Sequence, residues 1–254
     1  MVLSMSLEKA NALVLRVVEW SETSAVVTLF TREFGKVRAI AKGARRPKGP
    51  FESALDLLSR CRIVFLRKSS EALDLLTEAK LERWFRPRPR DLGSLYAGYY
   101  VAELLAELTD DYDPHPELFD TAVDVLASLG TTGPLASRVL RFELMALDLL
   151  GHLPSLKTCV ECGNSVEIAG RVPFGQLAGG VLCKQCRPGK TNVVSVSAAV
   201  IETLARFADR ENRTWRDDPI EPRVAGELRG VLNHYLAHLL GHKPRMHDYL
   251  KILS

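Results

Sequence analysis

The chain has 254 residues, of which 46% are apolar, enough to build one to three domains with buried cores, so a disordered chain is excluded as the default. The formal net charge of +3 says little, but residues 1–80 contain 14 Lys plus Arg against 9 Asp plus Glu, and the remaining residues contain 20 against 22. The positive field is concentrated in the N-terminal third, which favours a polyanionic partner.

The first residues do not resemble an export signal, because Glu8, Lys9, Arg16 and Glu19 interrupt any apolar core. No stretch reaches the roughly 18 apolar residues of a membrane span. We therefore expect a cytoplasmic protein without a membrane partner, whose five cysteines are reduced.

Five short runs rich in β-branched or apolar residues predict β-strands between positions 12 and 81. They read ALVLRVVEW, TSAVVTLFT, KVRAIAKG, CRIVFLRK and ALDLLTEAKL. Five strands in about 80 residues predict a small barrel or sandwich. Gly35 lies in a connection where a hairpin turn often needs a positive φ.

The period changes from two to about 3.6 after WFRPRPR at 84–90, which predicts helices from there on. Asp91 is a plausible N-cap for the first of them. The predicted helices span 92–108, 116–129, 135–150, 197–207 and 223–240. Asp110, Asp111 and Asp113 form an acidic cluster in a helix connection, which we assign to capping and solvation.

Residues 155–190 are rich in Cys and Gly and lack periodicity, so they form an insert in the helical part. The sequence therefore predicts three parts: a strand-rich domain at 1–82, a helical domain at 83–154 and 191–254, and the insert at 155–190.

The insert contains two Cys-x-x-Cys pairs, Cys159 with Cys162 and Cys183 with Cys186, separated by twenty residues. Each pair can supply two thiolates at about 2.3 Å from one tetrahedral metal ion, so the spacing favours one structural zinc ion per chain. Redox dithiols or disulfides are the alternative, and an iron–sulfur cluster is the least favoured. Cys61 lies in a predicted strand and is expected to be a small buried residue.

The segment REFGKVRAIAKGARRPK at 32–48 contains seven basic residues and a single acid, Glu33. Strand alternation directs its first cations to one face and Val37 with the alanines inward. We expect phosphate contacts, as on barrels that bind single strands, rather than a neutral solvated surface. The candidate residues are Arg32, Lys36, Arg38, Lys42, Arg45, Arg46 and Lys48.

Other cations extend this set. Arg86, Arg88 and Arg90 are candidates for the same patch, and Lys184 and Arg187 flank the second cysteine pair, where solvated surface charge explains them at least as well. Among the aromatic residues, Phe30 is assigned to the core, whereas Trp20 and Phe34 are candidates for either core packing or base stacking.

Three segments resemble the RecO family of DNA repair and recombination mediators: EWSETSAVVTLFTREFGKVRAIAKGARRPKG at 19–49, GHLPSLKTCVECG at 151–163 and LRGVLNHYLAHLLGHKPR at 228–245. The resemblance implies an α+β multidomain protein with an N-terminal OB-fold barrel, followed by an all-α domain that carries the four-cysteine zinc element. Gly49 and Pro50 depart from the family pattern, in which a serine often follows the lysine.

The resemblance also implies binding of single- and double-stranded DNA, strand annealing, association with RecR and with the tail of single-stranded DNA-binding protein, and loading of RecA recombinase. It implies a cytoplasmic, nucleoid-associated protein that is not an enzyme. No phosphate-binding loop, nucleophile elbow or His-Glu-x-x-His pair occurs. The alternatives are a zinc-stabilised adaptor whose basic barrel binds an acidic protein and, less favoured, a nuclease with a divalent ion.

Overall fold

The computed structural model describes residues 6–46, 49, 51, 54–68 and 72–250. The chain divides into two compact units, residues 1–131 and 132–254. Within the described residues, no helix combines the length and the apolar composition needed to cross a bilayer.

The first unit is built on five strands that close into a barrel. They are β1 (Ser6–Glu19), β2 (Ala25–Thr31), β3 (Gly35–Ala41), β4 (Arg60–Arg67) and β5 (Asp74–Arg83), in the order β1-β2-β3-β5-β4 with β4 returning to β1. Strands β3 and β5 pair in parallel, and the other pairs are antiparallel. All five predicted strands are confirmed, and of the two predicted shapes the barrel is the one formed.

Small and medium apolar side chains fill the barrel. Alanines from β1 and β3 pack with Ile63, Phe65 and Leu76, which leaves the interior filled by side chains. The predicted alternation of β3 is confirmed, because Val37, Ala39 and Ala41 are buried. Cys61 is also buried, as predicted, and burial raises the pKa of its thiol to about 12.

Two helices complete the first unit, α1 (Leu92–Leu108) and α2 (Pro116–Leu129). Asp91 caps α1 by accepting a hydrogen bond from the Ser94 amide, as predicted. Phe119 of α2 packs against Phe30 of β2 with ring centroids 6.2 Å apart. The connection between the helices runs over the start of β3, where a Cβ on Gly35 would lie 2.0 Å from the Asp113 carbonyl oxygen. Gly35 has φ +68, so both the turn and the close approach require glycine.

The second unit contains α3 (Leu135–Leu149), α4 (Ala198–Ala208) and α5 (Pro222–Leu240), followed by a 3₁₀ turn at Arg245–Asp248. These helices lie within one residue of the predicted ends. Glu143 of α3 is fully buried and forms two hydrogen bonds with the guanidinium of Arg229 on α5, which joins these two helices through an ion pair.

The helical part predicted to be all-α contains one strand, and the predicted insert contains two more. A three-stranded sheet forms from β6 (Arg171–Gly175), β7 (Gly180–Val181) and β8 (Val193–Ser197), in the order β7-β6-β8. Strand β8 lies beyond the predicted end of the insert at 190, and it pairs with β6 over five residues. The sheet buries Val172, Phe174 and Val196, so the cysteine segment has a small core of its own. Periodicity did not predict strands this short.

Candidate nucleic-acid surface and metal centre

The predicted basic segment forms β3 and the loop that follows it. Lys36, Arg38 and Ile40 alternate with the buried residues and therefore lie on the outer face of the barrel. The cations begin on one face of a rigid strand, as the alternation predicted, but their surroundings differ greatly from one residue to the next.

Lys36 is turned against a helix end rather than toward solvent. Its ammonium group donates hydrogen bonds to the carbonyl oxygens of Ala106 and Thr109 at the C-terminus of α1, and its side chain is only 16% exposed. A cation at that position is stabilised by the helix dipole. The expectation that Lys36 forms part of an open cationic ridge is therefore not met, because its charge is used inside the unit.

Two arginines of the segment form ion pairs with acids from distant parts of the chain. Arg32 binds both carboxylate oxygens of Asp120 on α2, with Nε to Oδ1 at 2.9 Å and Nη2 to Oδ2 at 3.0 Å. This hydrogen bond raises the pKa of Arg32 above its usual value. Arg38 pairs with Asp111 at 2.5 Å. Asp111 thus does more than solvate a connection, since it neutralises a predicted site residue.

The loop after β3 carries the more accessible cations. Arg45 contacts Glu19 at 3.2 Å and donates a hydrogen bond to the Ser21 carbonyl oxygen. Lys42 and Arg46 are exposed, and neither side chain forms a hydrogen bond or ion pair with the described residues. Lys48 lies outside the described residues. Within the described residues, the segment therefore has two exposed cations without an ion pair. It also has three exposed arginines in ion pairs, which are Arg32, Arg38 and Arg45.

The second set of arginines lies between β5 and α1. Arg86 is exposed and stacks its guanidinium 5.3 Å from the Trp84 ring centroid. Arg88 is half-buried and pairs with Asp91 at 2.5 Å, close to the start of α1. Arg90 is exposed and has a positive φ of 60°.

The aromatic candidates separate clearly. Phe30 is fully buried, as predicted. Phe34 packs edge-on against Phe65 of the barrel core at 5.6 Å, which assigns it to packing rather than stacking. Trp20, at the end of β1, is 68% exposed and stays available to a ligand.

The four cysteines of the insert come together as predicted. The sulfur atoms of Cys159, Cys162, Cys183 and Cys186 all lie within 4.8 Å of one another, and those of Cys162 and Cys183 are 3.9 Å apart. A tetrahedral site with metal–sulfur bonds of about 2.3 Å has sulfur atoms roughly 3.8 Å apart. The cluster therefore matches a four-thiolate site and could hold a metal ion.

Backbone hydrogen bonds shape the two cysteine turns. The Gly163 amide donates to the Cys159 carbonyl oxygen at 2.8 Å, and Gly163 has φ +73. The Arg187 amide donates to the Cys183 carbonyl oxygen at 3.1 Å. The Val160 amide also donates a hydrogen bond to the carbonyl oxygen of Val181 in β7. Because β7 leads directly to Cys183, this bond holds the first cysteine turn next to the second.

The thiols respond differently to this environment. A hydrogen bond from the backbone of Cys183 lowers the pKa of Cys159 to about 6. Side-chain hydrogen bonds with Cys183 and then Cys162 raise the pKa of Cys186 to about 12. When four thiols lie this close, hydrogen bonds from the others stabilise the first thiolate, and its negative charge then opposes ionisation of a second thiol. A cation at their centre removes that repulsion. Lys184 and Arg187 are exposed beside this cluster.

Comparisons with known proteins agree with these features. Residues 5–85 match the model of the N-terminal part of Recombination protein O, and residues 89–248 match the model of its C-terminal part. The DNA repair protein RecO of Rhodopirellula baltica is 40% identical over 262 residues, covering 94% of this chain and 97% of that protein.

Two further relatives extend the similarity. The DNA repair protein RecO of Anaeromyxobacter sp. (strain K) is 35% identical over 235 residues, covering 92% of each chain. That of Symbiobacterium thermophilum is 31% identical over 251 residues, covering 98% of each chain.

The two family matches define this chain as a multidomain protein of DNA repair and recombination, and its basic β-barrel and its helical region with a four-cysteine cluster fit that class. The chain belongs to the RecO family of DNA repair proteins.

Proposed function

We propose that the barrel is an OB-fold and that it binds single- and double-stranded DNA through β3 and the loop after it. The observation that carries this proposal is the group of exposed cations that follows a strand of a closed barrel. The contacts are made by Arg32, Arg38, Lys42, Arg45 and Arg46, with Lys48 as a further candidate. Cations on a rigid strand bind the phosphates of any sequence.

Strand annealing follows from the same contacts. Two complementary strands repel each other through their phosphates, and a protein that neutralises part of this charge lowers the repulsion without reading the bases. The ion pairs of Arg32 and Arg38 fit a weak, reversible grip, because each phosphate contact must compete with Asp120 or Asp111. A protein that anneals strands must also release the duplex it forms.

The four-cysteine cluster is proposed to hold one zinc ion with a structural role. All four donors are sulfur, and four-coordinate zinc bound by four thiolates leaves no position for water or substrate. The ion would join the two cysteine turns of the predicted 155–190 insert, between the helical parts at 83–154 and 191–254.

The family implies the protein partners. RecR and the tail of single-stranded DNA-binding protein are proposed to associate with this chain, which would then help to load RecA recombinase onto coated single strands. The role is non-enzymatic and consists of binding, annealing and handing over strands. The proposed location is the cytoplasm, at the nucleoid.

One observation favours a second candidate, an adaptor that docks proteins on the barrel. Partly exposed apolar residues lie opposite one another on neighbouring strands, and they form a continuous row around the outer face of the barrel. The row contains Val18, Val26, Ile40, Leu75, Leu66 and Leu7. Such a row suits protein contact better than phosphate. A gel shift with the purified protein and bare oligonucleotides separates the candidates, because an adaptor alone leaves the oligonucleotide unshifted.

The main test is the salt dependence of single-strand binding. With about five phosphate contacts, the slope of log affinity against log salt should lie near −3.5. Arg45→Glu with Arg46→Glu should weaken binding to all sequences about equally. The matched control, Arg213→Glu with Arg223→Glu, changes the same charge at residues that are both 80% exposed, on the second unit, and should leave the slope unchanged. Binding that is insensitive to salt would overturn the proposal.

A further inference from the structure

A second basic surface lies on strands β4 and β5, outside the basic segment at 32–48. Arg62 of β4 lies directly opposite Lys80 of β5 in the strand ladder, and Arg60 lies opposite Arg83. Directly paired residues of antiparallel strands point to the same face of a sheet. Since Cys61, Ile63 and Ala79 point into the barrel, these four cations all lie on its outer face.

The same face ends in an aromatic groove within the first unit. The groove has a volume of about 470 Å³, in the range of about 300–1,000 Å³ typical of ligand sites, and its lining includes Arg60, Glu82, Arg83, Trp84 and Arg86. Trp84 is 42% exposed. We call the surface formed by Arg60, Arg62, Lys80, Arg83, Trp84 and Arg86 the β4–β5 groove.

The charges of the β4–β5 groove are less neutralised than those of β3. Glu82 pairs with Arg60 at 3.0 Å and with Arg62 at 3.1 Å, so one carboxylate is shared by two arginines. Lys80 and Arg83 form no ion pair with the described residues and are exposed. In the segment at 32–48, in contrast, Arg32 pairs with Asp120 alone, and Arg38 shares Asp111 only with the half-buried Lys36.

We infer that the β4–β5 groove binds a second single strand of nucleic acid, with a base stacked on Trp84 and phosphates on Arg62, Lys80 and Arg83. Cations beside a partly exposed aromatic ring are the combination that binds single strands without reading sequence, and a stacked base would share the Trp84 ring with the Arg86 guanidinium or displace it. The inference rests on the proposed function, since it gives the barrel one strand on the β3 side and another on the β4–β5 side.

The groove lies at the far end of β5 from its contact with β3. Strand β5 pairs with β3 only through Asp74, Leu75 and Leu76 at its start, whereas Lys80 and Arg83 lie near its other end, against β4. Two strands bound at these two places on one barrel are held at high local concentration, and neither has to displace the other's phosphates. Annealing therefore needs both surfaces, whereas binding of one strand needs only one.

Tryptophan fluorescence tests the groove directly. The chain has three tryptophans, of which Trp215 is buried and Trp20 and Trp84 are exposed. In a Trp20→Phe background, oligothymidylate at low salt should quench the emission of Trp84. The matched variant, Trp20→Phe with Trp84→Phe, should show no quenching. Trp84→Ala should weaken binding in the groove about 5- to 150-fold, the loss expected for one stacked base.

Charge reversal tests the role in annealing. Arg62→Glu with Lys80→Glu should slow the annealing of two complementary labelled strands and should reduce the salt slope of binding in the groove, followed by Trp84 quenching, by about 1.4, the effect of two lost phosphate contacts. Arg213→Glu with Arg223→Glu changes the same charge elsewhere and should anneal like the wild-type protein. Because Arg62 is 69% exposed and Arg60 still pairs with Glu82, the fold should be preserved, which a melting curve checks.

The outcomes separate the two proposals. If the wild-type protein binds no oligonucleotide at low salt, the proposed function itself fails. If it binds and anneals, but Trp84 is not quenched and Arg62→Glu with Lys80→Glu behaves like the control, only the β4–β5 groove is excluded. Quenching of Trp84 by an acidic peptide but not by oligothymidylate would overturn the inference in favour of a protein ligand.

Discussion

Arg38 on β3 and Asp111 in the connection between α1 and α2 form an ion pair with a nitrogen–oxygen distance of 2.5 Å. The two residues are 73 positions apart, and the contact exists because the Asp110–Asp113 connection runs over the start of β3 beside Gly35. The acid in this helix connection therefore determines how freely Arg38, a predicted site residue, can contact a ligand. Under the proposed function, DNA phosphates would compete with Asp111 for Arg38.

Removal of this competitor should strengthen DNA binding. Asp111→Asn frees Arg38, and since exposed ion pairs contribute about 0.2–1 kcal/mol, single-strand affinity should rise about 1.5- to 5-fold, measured by fluorescence anisotropy at fixed salt. Asp148→Asn is the control, because Asp148 pairs with Arg210 in the second unit and its removal changes the net charge equally. Equal gains in affinity from both variants would mean that the total charge of the protein, and not the release of Arg38, sets the affinity for single strands.

Lys36 should act on stability rather than on DNA binding. Lys36→Met removes hydrogen bonds from an ammonium group to the carbonyl oxygens of Ala106 and Thr109, and the free energy of unfolding should fall by about 1.5–3 kcal/mol in urea denaturation. The salt slope of DNA binding should stay as in the wild-type protein.

Lys42→Met provides the opposite result for comparison. Lys42 is exposed, so its replacement should change stability by less than about 0.5 kcal/mol and reduce the salt slope by about 0.7. A loss of slope with Lys36→Met and none with Lys42→Met would contradict the assignment of both residues.

Loss of the proposed metal should destabilise the second unit. Elemental analysis should find one zinc per chain, and Cys159→Ser with Cys186→Ser should lose it, because two of four thiolates cannot hold the ion. The segment 155–190 should then become sensitive to proteolysis. Cys61→Ala, which removes a thiol outside the cluster, should keep the zinc. A metal-free wild-type protein with unchanged protease resistance would argue against a structural metal.

Cysteine reactivity should separate Cys61 from Cys162, because Cys61 is buried and Cys162 is exposed. After chelation at pH 8, Cys162 should react with a disulfide reagent in the native protein, and Cys61 only in denaturant. The pKa of Cys61 is raised to about 12 by burial, so roughly one molecule in 10,000 carries the thiolate at pH 8.

The raised pKa of Cys61 also affects alkaline stability. A thiol whose pKa is higher in the folded state contributes stability below its unfolded pKa of about 8.5, and this contribution is lost as the pH rises toward about 12. The free energy of unfolding should therefore decrease less steeply with pH across this range for Cys61→Ala than for the wild-type protein. Identical curves for the variant and the wild-type protein would contradict this prediction.

The buried pair of Glu143 and Arg229 should be sensitive to the loss of one partner. Arg229→Ala leaves a fully buried carboxylate without its guanidinium, so the free energy of unfolding should fall by about 3–5 kcal/mol. Arg229→Met with Glu143→Leu removes both charges and should recover most of this loss. A double variant as unstable as the single one would show that packing, rather than the unpaired charge, sets the cost.

The sequence alone determined most elements of the fold and which four cysteines cluster. Strand alternation on β3, the helix bounds from Leu92 to Leu240 and the two Cys-x-x-Cys pairs are local patterns, which short-range geometry turns directly into structure. The strands β6, β7 and β8 escaped because two to five residues give too little periodicity to detect.

Only the tertiary structure decided which cations remain open to a ligand. Lys36 meets the end of α1, Arg38 meets Asp111, and Arg32 meets Asp120, whereas Lys80 and Arg83 meet no acid among the described residues. Ion pairing depends on distances between segments far apart along the chain, and a charge count over neighbouring positions does not contain those distances. For the same reason Trp84, which stands out in no sequence motif, borders a groove only after β5 and α2 have folded together.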